Sequence, residues 1–211
     1  MLPISHTYSK AFRQHWEYSL LKAHLPITHR ENVYGLLSQA YSESQRYYHT
    51  QQHIVECLVH FQEVKHLLCD PLAVETSIWF HDVIYDPHAS DNELQSAELM
   101  KYVCQNFLLQ AQLEKIYEWI LATQKHQACE ATDLHYLLDI DLAILGSDSN
   151  RFAEYESQIR HEYAWVEPNI YQVKRWEILN SFYQMNPIYQ TPFFQSRYDK
   201  KAKLNLKNHA N

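Results

Sequence analysis

The sequence predicts an all-α fold, a single compact multi-helix bundle, and three observations indicate it. Apolar residues recur at helical spacing over most of the 211 residues. The chain has only two glycines, Gly35 and Gly146, which leaves few positions suited to tight β-hairpins. No segment shows a convincing alternation of apolar and polar residues of the kind that marks a half-buried strand. We therefore expect about ten helices and no sheet.

The helices can be placed in order along the chain. Periodicity predicts them over 51–68, 113–122, 134–145, 151–166, 169–184 and 195–206. A capping box at 90–93 predicts a further helix that ends near Asn106, and Glu93 is explained by its place in that box. The run 78–85 is apolar on all sides, which predicts a central helix. Gly146 is a natural stop for the helix that precedes it.

Length and composition limit the classes of protein. We expect one domain over residues 1–211, with a core over about 30–150 and C-terminal helices over 151–206. The net charge of −7 excludes a basic stripe for a nucleic-acid polymer. No apolar run approaches membrane length and no signal-peptide profile occurs, so a cytoplasmic protein with reduced cysteines is expected. Two glycines are too few for Walker-type or Rossmann-type phosphate loops.

Two acidic positions stand in apolar surroundings. His81 and Asp82 lie inside the apolar run 78–85, and Asp141 lies on the apolar stripe of the helix over 134–145. A carboxylate on an apolar face is costly unless it is paired or bound to a metal. Asp139 points about 200° away round the same helix, so the two aspartates cannot easily serve one site. The plain alternatives are a salt-bridged aspartate and a hydrogen-bonded His–Asp core pair.

Three more histidines are candidates for the same chemistry. His49 and His53 are four residues apart, so they share a face if the helix begins by His49. They could equally be surface histidines at a helix start. His126 follows an apolar helix, where it could bind a metal or phosphate, or simply interact with the helix dipole.

The combined order of these residues resembles one family. The stretches 46–54, 79–86, 91–97 and 138–146 are similar to those of the HD-domain superfamily of metal-dependent phosphohydrolases, in particular to a bacterial subgroup of about this length. The likeness extends from about residue 10 to residue 206. It implies a helical HD-type domain that hydrolyses phosphate esters.

The resemblance also assigns roles to residues. It makes His53, His81, Asp82 and Asp141 the metal ligands. The piece 48–53 is similar to a segment of cyclic-nucleotide phosphodiesterases, which implies that His49 is the general acid. Asp82 or Asp141 would orient the attacking water, and Lys125, Arg46 or Arg160 would balance charge on the phosphate. His126, Asn92, Ser96 and Arg46 are expected as second-metal or phosphate contacts. Phosphodiesterases have a further histidine after the His-Asp pair, which this chain lacks.

The sequence thus predicts a phosphohydrolase that cleaves a phosphomonoester or phosphodiester by a metal-activated water, with a nucleotide as one candidate substrate. Mixed nitrogen and oxygen ligands suit Mn, Fe, Co, Ni or Zn, with Mg as a further candidate. The alternatives are an HD module that binds a metal or nucleotide without turnover, and a metal-dependent lyase or oxygenase on the same scaffold. No nucleic-acid or membrane partner is expected. A homodimer is left open, because the region 160–175 fits either a lid or a dimer face.

Overall fold

The computed structural model describes residues 5–126 and 132–209, and every regular element in these ranges is a helix. The predicted all-α class is therefore confirmed. The chain divides into two compact units, Met1–Leu137 and Leu138–Asn211. The expectation of one domain over residues 1–211 stays a prediction.

The first unit is built around one short central helix. Its elements are α1 (Ser5–Glu17), α2 (Leu20–His24), α3 (Ile27–Ala40), α4 (Gln51–Val64), a 3₁₀ turn (Lys65–Leu67), α5 (Pro71–Phe80), α6 (Asn92–Cys104), α7 (Gln110–Thr123) and the first part of α8 (Thr132–Asp141). Helix α5 contacts α2, α4, α6 and α7, while α1 lies along α4. Every residue of α5 after Pro71 is buried, which explains why its last three residues, which begin the predicted run 78–85, are apolar on all sides.

Aromatic residues fix α1 against α5. Trp79 meets Phe12 and Trp16 edge-on, with ring centroids 5.0 and 5.6 Å apart, and all three side chains are fully buried. This edge-to-face geometry is the favoured one for aromatic pairs. The hydroxyl of Tyr41 donates a hydrogen bond of 2.9 Å to the Trp79 carbonyl. The end of α5, which carries the His81-Asp82 pair, is therefore held from several directions.

Two predicted helix boundaries differ from the structure. Helix α6 begins at Asn92 with Asp91 as its N-cap, one residue later than the capping box predicts, and it ends at Cys104. Glu93 accepts a hydrogen bond of 3.2 Å from the Gln124 side chain instead of closing a capping box. The predicted helix over 51–68 ends as α4 at Val64 and continues as the 3₁₀ turn.

The second unit consists of the remaining helices. After the end of α8 come a 3₁₀ turn (Leu142–Gly146), α9 (Ser149–Glu162), α10 (Pro168–Gln184), α11 (Pro192–Phe194), a π-helical turn (Gln195–Asp199) and α12 (Lys200–His209). Helix α12 packs on α10 and on the 3₁₀ turn. These bounds agree with the predicted C-terminal helices to within a few residues.

Gly146 ends the 3₁₀ turn for a reason that the sequence does not reveal. It does not adopt the left-handed conformation that usually makes glycine a helix stop. A Cβ atom there would lie 2.7 Å from the Tyr198 Cβ and 2.9 Å from the Tyr189 hydroxyl. Glycine is required because these two tyrosines approach its backbone closely.

Over residues 5–126 and 132–209, each helix is either too short or too polar to traverse a lipid bilayer.

Candidate metal centre

Helix α4 brings the first candidate ligand into the core. Thr50 caps the helix, since its hydroxyl accepts a hydrogen bond of 3.3 Å from the Gln52 N–H. His53 follows in the first turn and is only 2% exposed. Cys57 lies one turn further on the same face, and its sulfur is 3.8 Å from both ring nitrogens of His53. Cys57 is a free thiol and is buried.

The second and third candidate ligands lie just beyond α5. The sequence predicts that His81 and Asp82 lie inside a central helix, and this is wrong in detail. Helix α5 ends at Phe80, His81 is its C-cap, and Asp82 lies in the following turn. The physical reason is that side chains compete for the backbone groups of this turn. Arg46 donates to the carbonyls of Asp82 and Val83, and the Ser96 hydroxyl accepts from the Ile84 N–H, so these groups do not form the hydrogen bonds of a continuing helix.

The three side chains converge on one point. The Nε2 atoms of His53 and His81 are 3.1 Å apart, and the Asp82 carboxylate oxygen is 3.0 Å from His81 Nε2 and 3.5 Å from His53 Nε2. Both imidazoles are buried, and the Asp82 side chain is 15% exposed. An ion could therefore be reached from solvent on the carboxylate side of the cluster.

The hydrogen bond on the far side of His81 defines its tautomer. His81 Nδ1 lies 3.0 Å from the Ile78 carbonyl oxygen. A carbonyl can only accept, so Nδ1 carries a hydrogen, and Nε2 is the ring nitrogen that offers its lone pair to a metal ion once it has no proton. Such a backbone bond to the outer nitrogen is the usual arrangement for a metal-binding histidine.

The charge of the neighbouring histidines acts on Asp82. Burial raises the pKa of its carboxyl group, but electrostatic attraction to the imidazoles of His81, His49 and His53, with a hydrogen bond from His81 among the causes, outweighs burial and holds the pKa well below its usual range. Asp82 is therefore a carboxylate, the form that binds a cation.

The distances between the three donor atoms fit those expected around one metal ion. Two ligands about 2.1 Å from one ion, at angles between those of an octahedron and a tetrahedron, are about 3.0 to 3.4 Å apart. The three separations of 3.1, 3.0 and 3.5 Å match this spacing closely. Two imidazole nitrogens and one carboxylate oxygen suit a borderline divalent ion. His53, His81 and Asp82 thus form a group that could hold such an ion.

His49 stands beside this group. Its ring centroid is 6.0 Å from that of His53, and its charge lowers the pKa of Asp82. It is half-buried and precedes α4 rather than sharing a helical face with His53. The ring stacks on Tyr85, with centroids 4.1 Å apart. Tyr85 is a site residue that sequence reasoning missed, although an aromatic residue directly after the His-Asp turn is a visible signal.

Three predicted phosphate contacts hold the backbone of the Asp82 turn. Arg46 donates to the carbonyls of Asp82 and Val83. The Ser96 hydroxyl accepts from the Ile84 N–H and donates to its carbonyl. The Asn92 amide bonds the N–H and carbonyl of Asp86 in the same paired manner.

The two remaining candidates of the first unit lie at the end of α7. The Lys125 side chain is exposed. His126 is half-buried and has a φ of 49°, in the left-handed region, at the position that follows the helix. The contact of either residue with a phosphate stays a prediction.

The aspartates of α8 belong to the second unit and differ in burial. Asp139 is fully buried, and its carboxylate accepts three hydrogen bonds of 2.6 to 2.7 Å from Gln190 and Thr191. Asp141 ends α8 and is half-buried, so the predicted burial of the two is reversed. Asp139 is structural, which agrees with the expectation that the two do not serve one site. Asp141 stays the predicted fourth ligand.

Neither a family model, nor a curated protein, nor a solved structure matches this chain. The functional interpretation therefore depends on the geometry of the site and on the sequence motifs.

Proposed function

We propose that this chain is a metal-dependent phosphohydrolase that cleaves a small phosphate ester, with a nucleotide as one candidate substrate. The observation that supports it best is the mutual spacing of 3.0 to 3.5 Å among His53, His81 and Asp82. The resemblance of the same motifs to the HD-domain superfamily points the same way. A bound divalent cation supplies Lewis acidity, which polarises a phosphoryl oxygen and lowers the pKa of water.

The residues around the ligands suit this reaction. In hydrolysis, water oxygen forms a bond to phosphorus, the ester P–O bond breaks, and the leaving oxygen takes up a proton. His49 is our candidate for the proton donor, because it is half-buried, adjacent to the cluster and held by stacking on Tyr85. The buried rings of Tyr48 and Tyr85 shield the histidines from bulk water. Shielding of this kind strengthens electrostatic interactions inside a site.

The experiment compares metal content and turnover in matched variants. Protein purified without chelator is analysed for metals, loaded with Mn²⁺, Co²⁺ or Zn²⁺, and assayed on aryl phosphate monoesters, diesters and nucleotides. We expect H81A and D82A to lose the metal and to fall to background turnover. H49N should keep the metal and lose about 10²- to 10⁴-fold in kcat, which is the usual contribution of a general acid.

The control is H66A, because His66 is an exposed histidine of the same unit, in the 3₁₀ turn after α4. It should match the unmodified protein in both assays. Stoichiometric metal without turnover on any phosphate ester would contradict the proposal and favour a binding module. Oxygen consumption by the iron-loaded protein would instead indicate an oxygenase.

A further inference from the structure

The guanidinium group of Arg46 is fully buried beside the candidate metal centre. Burying a cation is costly unless hydrogen bonds and opposite charge compensate for it. Its carboxylate partner is Glu43, at 3.0 Å from Nε, and the Glu43 side chain is largely open to solvent. The rest of the compensation comes from backbone carbonyl groups.

These carbonyl groups belong to two separate segments. One terminal nitrogen of Arg46 donates to the Asp82 carbonyl at 2.7 Å and to the His49 carbonyl at 3.1 Å. The other terminal nitrogen donates to the Val83 carbonyl at 2.9 Å. One planar group thus joins the segment that leads into α4 to the turn that follows α5. These are the two segments that carry His49 and Asp82.

Aromatic rings hold the guanidinium in this plane. Its carbon atom lies 5.3 Å from the ring centroid of Tyr41 and 5.4 Å from that of Tyr85. A guanidinium group between two aromatic faces gains cation–π attraction and loses freedom to rotate. Tyr85 is also the residue that stacks on His49.

The same turn is fixed at its next residues. The fully buried Ser96 hydroxyl bonds both the N–H and the carbonyl of Ile84, at 3.0 and 3.3 Å. Asn92 does the same for Asp86, at 3.0 and 2.9 Å. Side chains thus define the backbone path from Asp82 to Asp86, and that path sets where the Asp82 carboxylate points.

We propose that Arg46 is a positioning residue that holds the Asp82 carboxylate against the imidazoles of His53 and His81 through the backbone of the turn. It does this instead of contacting a phosphate, since its side chain is fully buried, both terminal nitrogens donate to carbonyl groups and Nε donates to Glu43. This inference rests on the proposed metal function. Residues that orient metal ligands from outside the coordination sphere typically affect metal affinity by 10- to 100-fold.

The test uses Co²⁺ as a spectroscopic probe. Its affinity is measured by titration, and its visible absorption reports the coordination geometry. The variant is R46K, because lysine keeps the charge but cannot donate in one plane to carbonyls of two segments. The matched control is R13K in the same unit, since Arg13 also forms a paired bond to a carboxylate and covers a tyrosine ring, but at the surface.

We expect R46K to bind Co²⁺ about 10- to 100-fold more weakly with a changed absorption spectrum, and R13K to match the unmodified protein. Unchanged affinity and spectrum in R46K would overturn the inference. If circular dichroism shows that R46K does not fold, the Co²⁺ affinity of S96A is measured instead, because S96A removes the hydrogen bonds to Ile84 in the same turn. Weaker Co²⁺ binding by S96A supports the inference, and unmodified affinity overturns it.

The design separates this inference from the proposed function. If the unmodified protein binds no Co²⁺, both fall. If the unmodified protein binds Co²⁺ and R46K and R13K bind it with the same affinity as the unmodified protein, only the positioning role of Arg46 is contradicted.

Discussion

At the scale of single residues, the spacing of the site limits what can lie between its donor atoms. Two imidazole nitrogens 3.1 Å apart, with a carboxylate oxygen at 3.0 and 3.5 Å, concentrate lone pairs in a small space. Lone pairs at such distances repel each other unless a cation, a proton or a metal ion, lies between them. The Nδ1–H of His81 is directed at the Ile78 carbonyl, so Nε2 is the ring nitrogen that faces the other two donors. Of these cations, a metal ion could contact all three donors together.

The sequence singles out His81 and Asp82 because their cost in apolar surroundings is visible in the pattern, whereas His53 is predicted as a ligand from the resemblance of the stretch 46–54. A His-Asp pair within the run 78–85 requires compensation wherever it is buried. The functions of Arg46, Ser96 and Asn92 could not be predicted in this way. Their partners are backbone groups of a turn, and hydrogen bonds from a side chain to a distant backbone leave no periodic trace in a sequence.

Glu75 supplies a prediction that is independent of the metal. This carboxyl group is 1% exposed and accepts the N–H groups of Leu20 and Leu21 at 2.6 and 3.2 Å. Burial raises its pKa from 4.5 to about 7. Because the folded pKa exceeds the unfolded one, the proton stabilises the fold. This contribution is fully present below about pH 4.5 and is lost as the pH rises to about 7.

We expect E75Q to remove this pH dependence. We compare the free energy of unfolding of E75Q with that of the unmodified protein by urea unfolding at each pH. The difference, E75Q minus unmodified, should rise by about 2 to 3 kcal/mol from pH 5 to pH 8. E118Q is the control, because Glu118 is an exposed glutamate of the same unit. The prediction would be contradicted if E75Q differed from the unmodified protein by the same free energy of unfolding at pH 5 and at pH 8.

At the scale of elements, helical periodicity predicted most of the helices and failed where side chains end a helix. The run 78–85 has the composition of a buried helix, yet α5 ends at Phe80. Competing hydrogen bonds to the turn make the difference, and they come from α6 and from the segment before α4. Gly146 is another position that contacts from later in the chain determine, because Tyr189 and Tyr198 leave no room for a Cβ atom there.

The junction between α8 and α11 provides a second stability prediction. The Asp139 carboxylate accepts the backbone N–H groups of Gln190 and Thr191 and the Thr191 hydroxyl. Thr191 in turn caps α11. D139A would leave the two buried Thr191 donors and the partly buried Gln190 N–H without this acceptor. Each buried donor left unpaired costs about 1 kcal/mol or more, so we expect a loss of about 2 kcal/mol or more in urea unfolding.

D148A is the matched control within the second unit. Asp148 is exposed and pairs with Lys201 at 2.8 Å, so its removal should cost much less stability than D139A does. Equal effects of D139A and D148A would show that the Asp139 bonds do not anchor this junction.

At the scale of the whole molecule, the sequence predicted the fold class for reasons that act along the entire chain. Scarce glycine and continuous helical periodicity leave few positions for strands, and the described residues form helices only. Domain organisation was harder to predict. No proline-rich or glycine-rich linker marks the division after Leu137, because this division lies within α8. Composition identifies flexible linkers, whereas a division within a helix leaves no such mark in the composition.

The position of the bound cation is the most direct test of the metal centre. A crystal grown with Zn²⁺ or Mn²⁺ would be measured on both sides of the absorption edge of that metal, so that anomalous scattering locates the ion. We expect one strong peak about 2.0 to 2.2 Å from Nε2 of His53, Nε2 of His81 and a carboxylate oxygen of Asp82. A metal-loaded crystal with no peak between these three side chains, or with the ion bound elsewhere, would contradict the metal centre and the phosphohydrolase proposed from it.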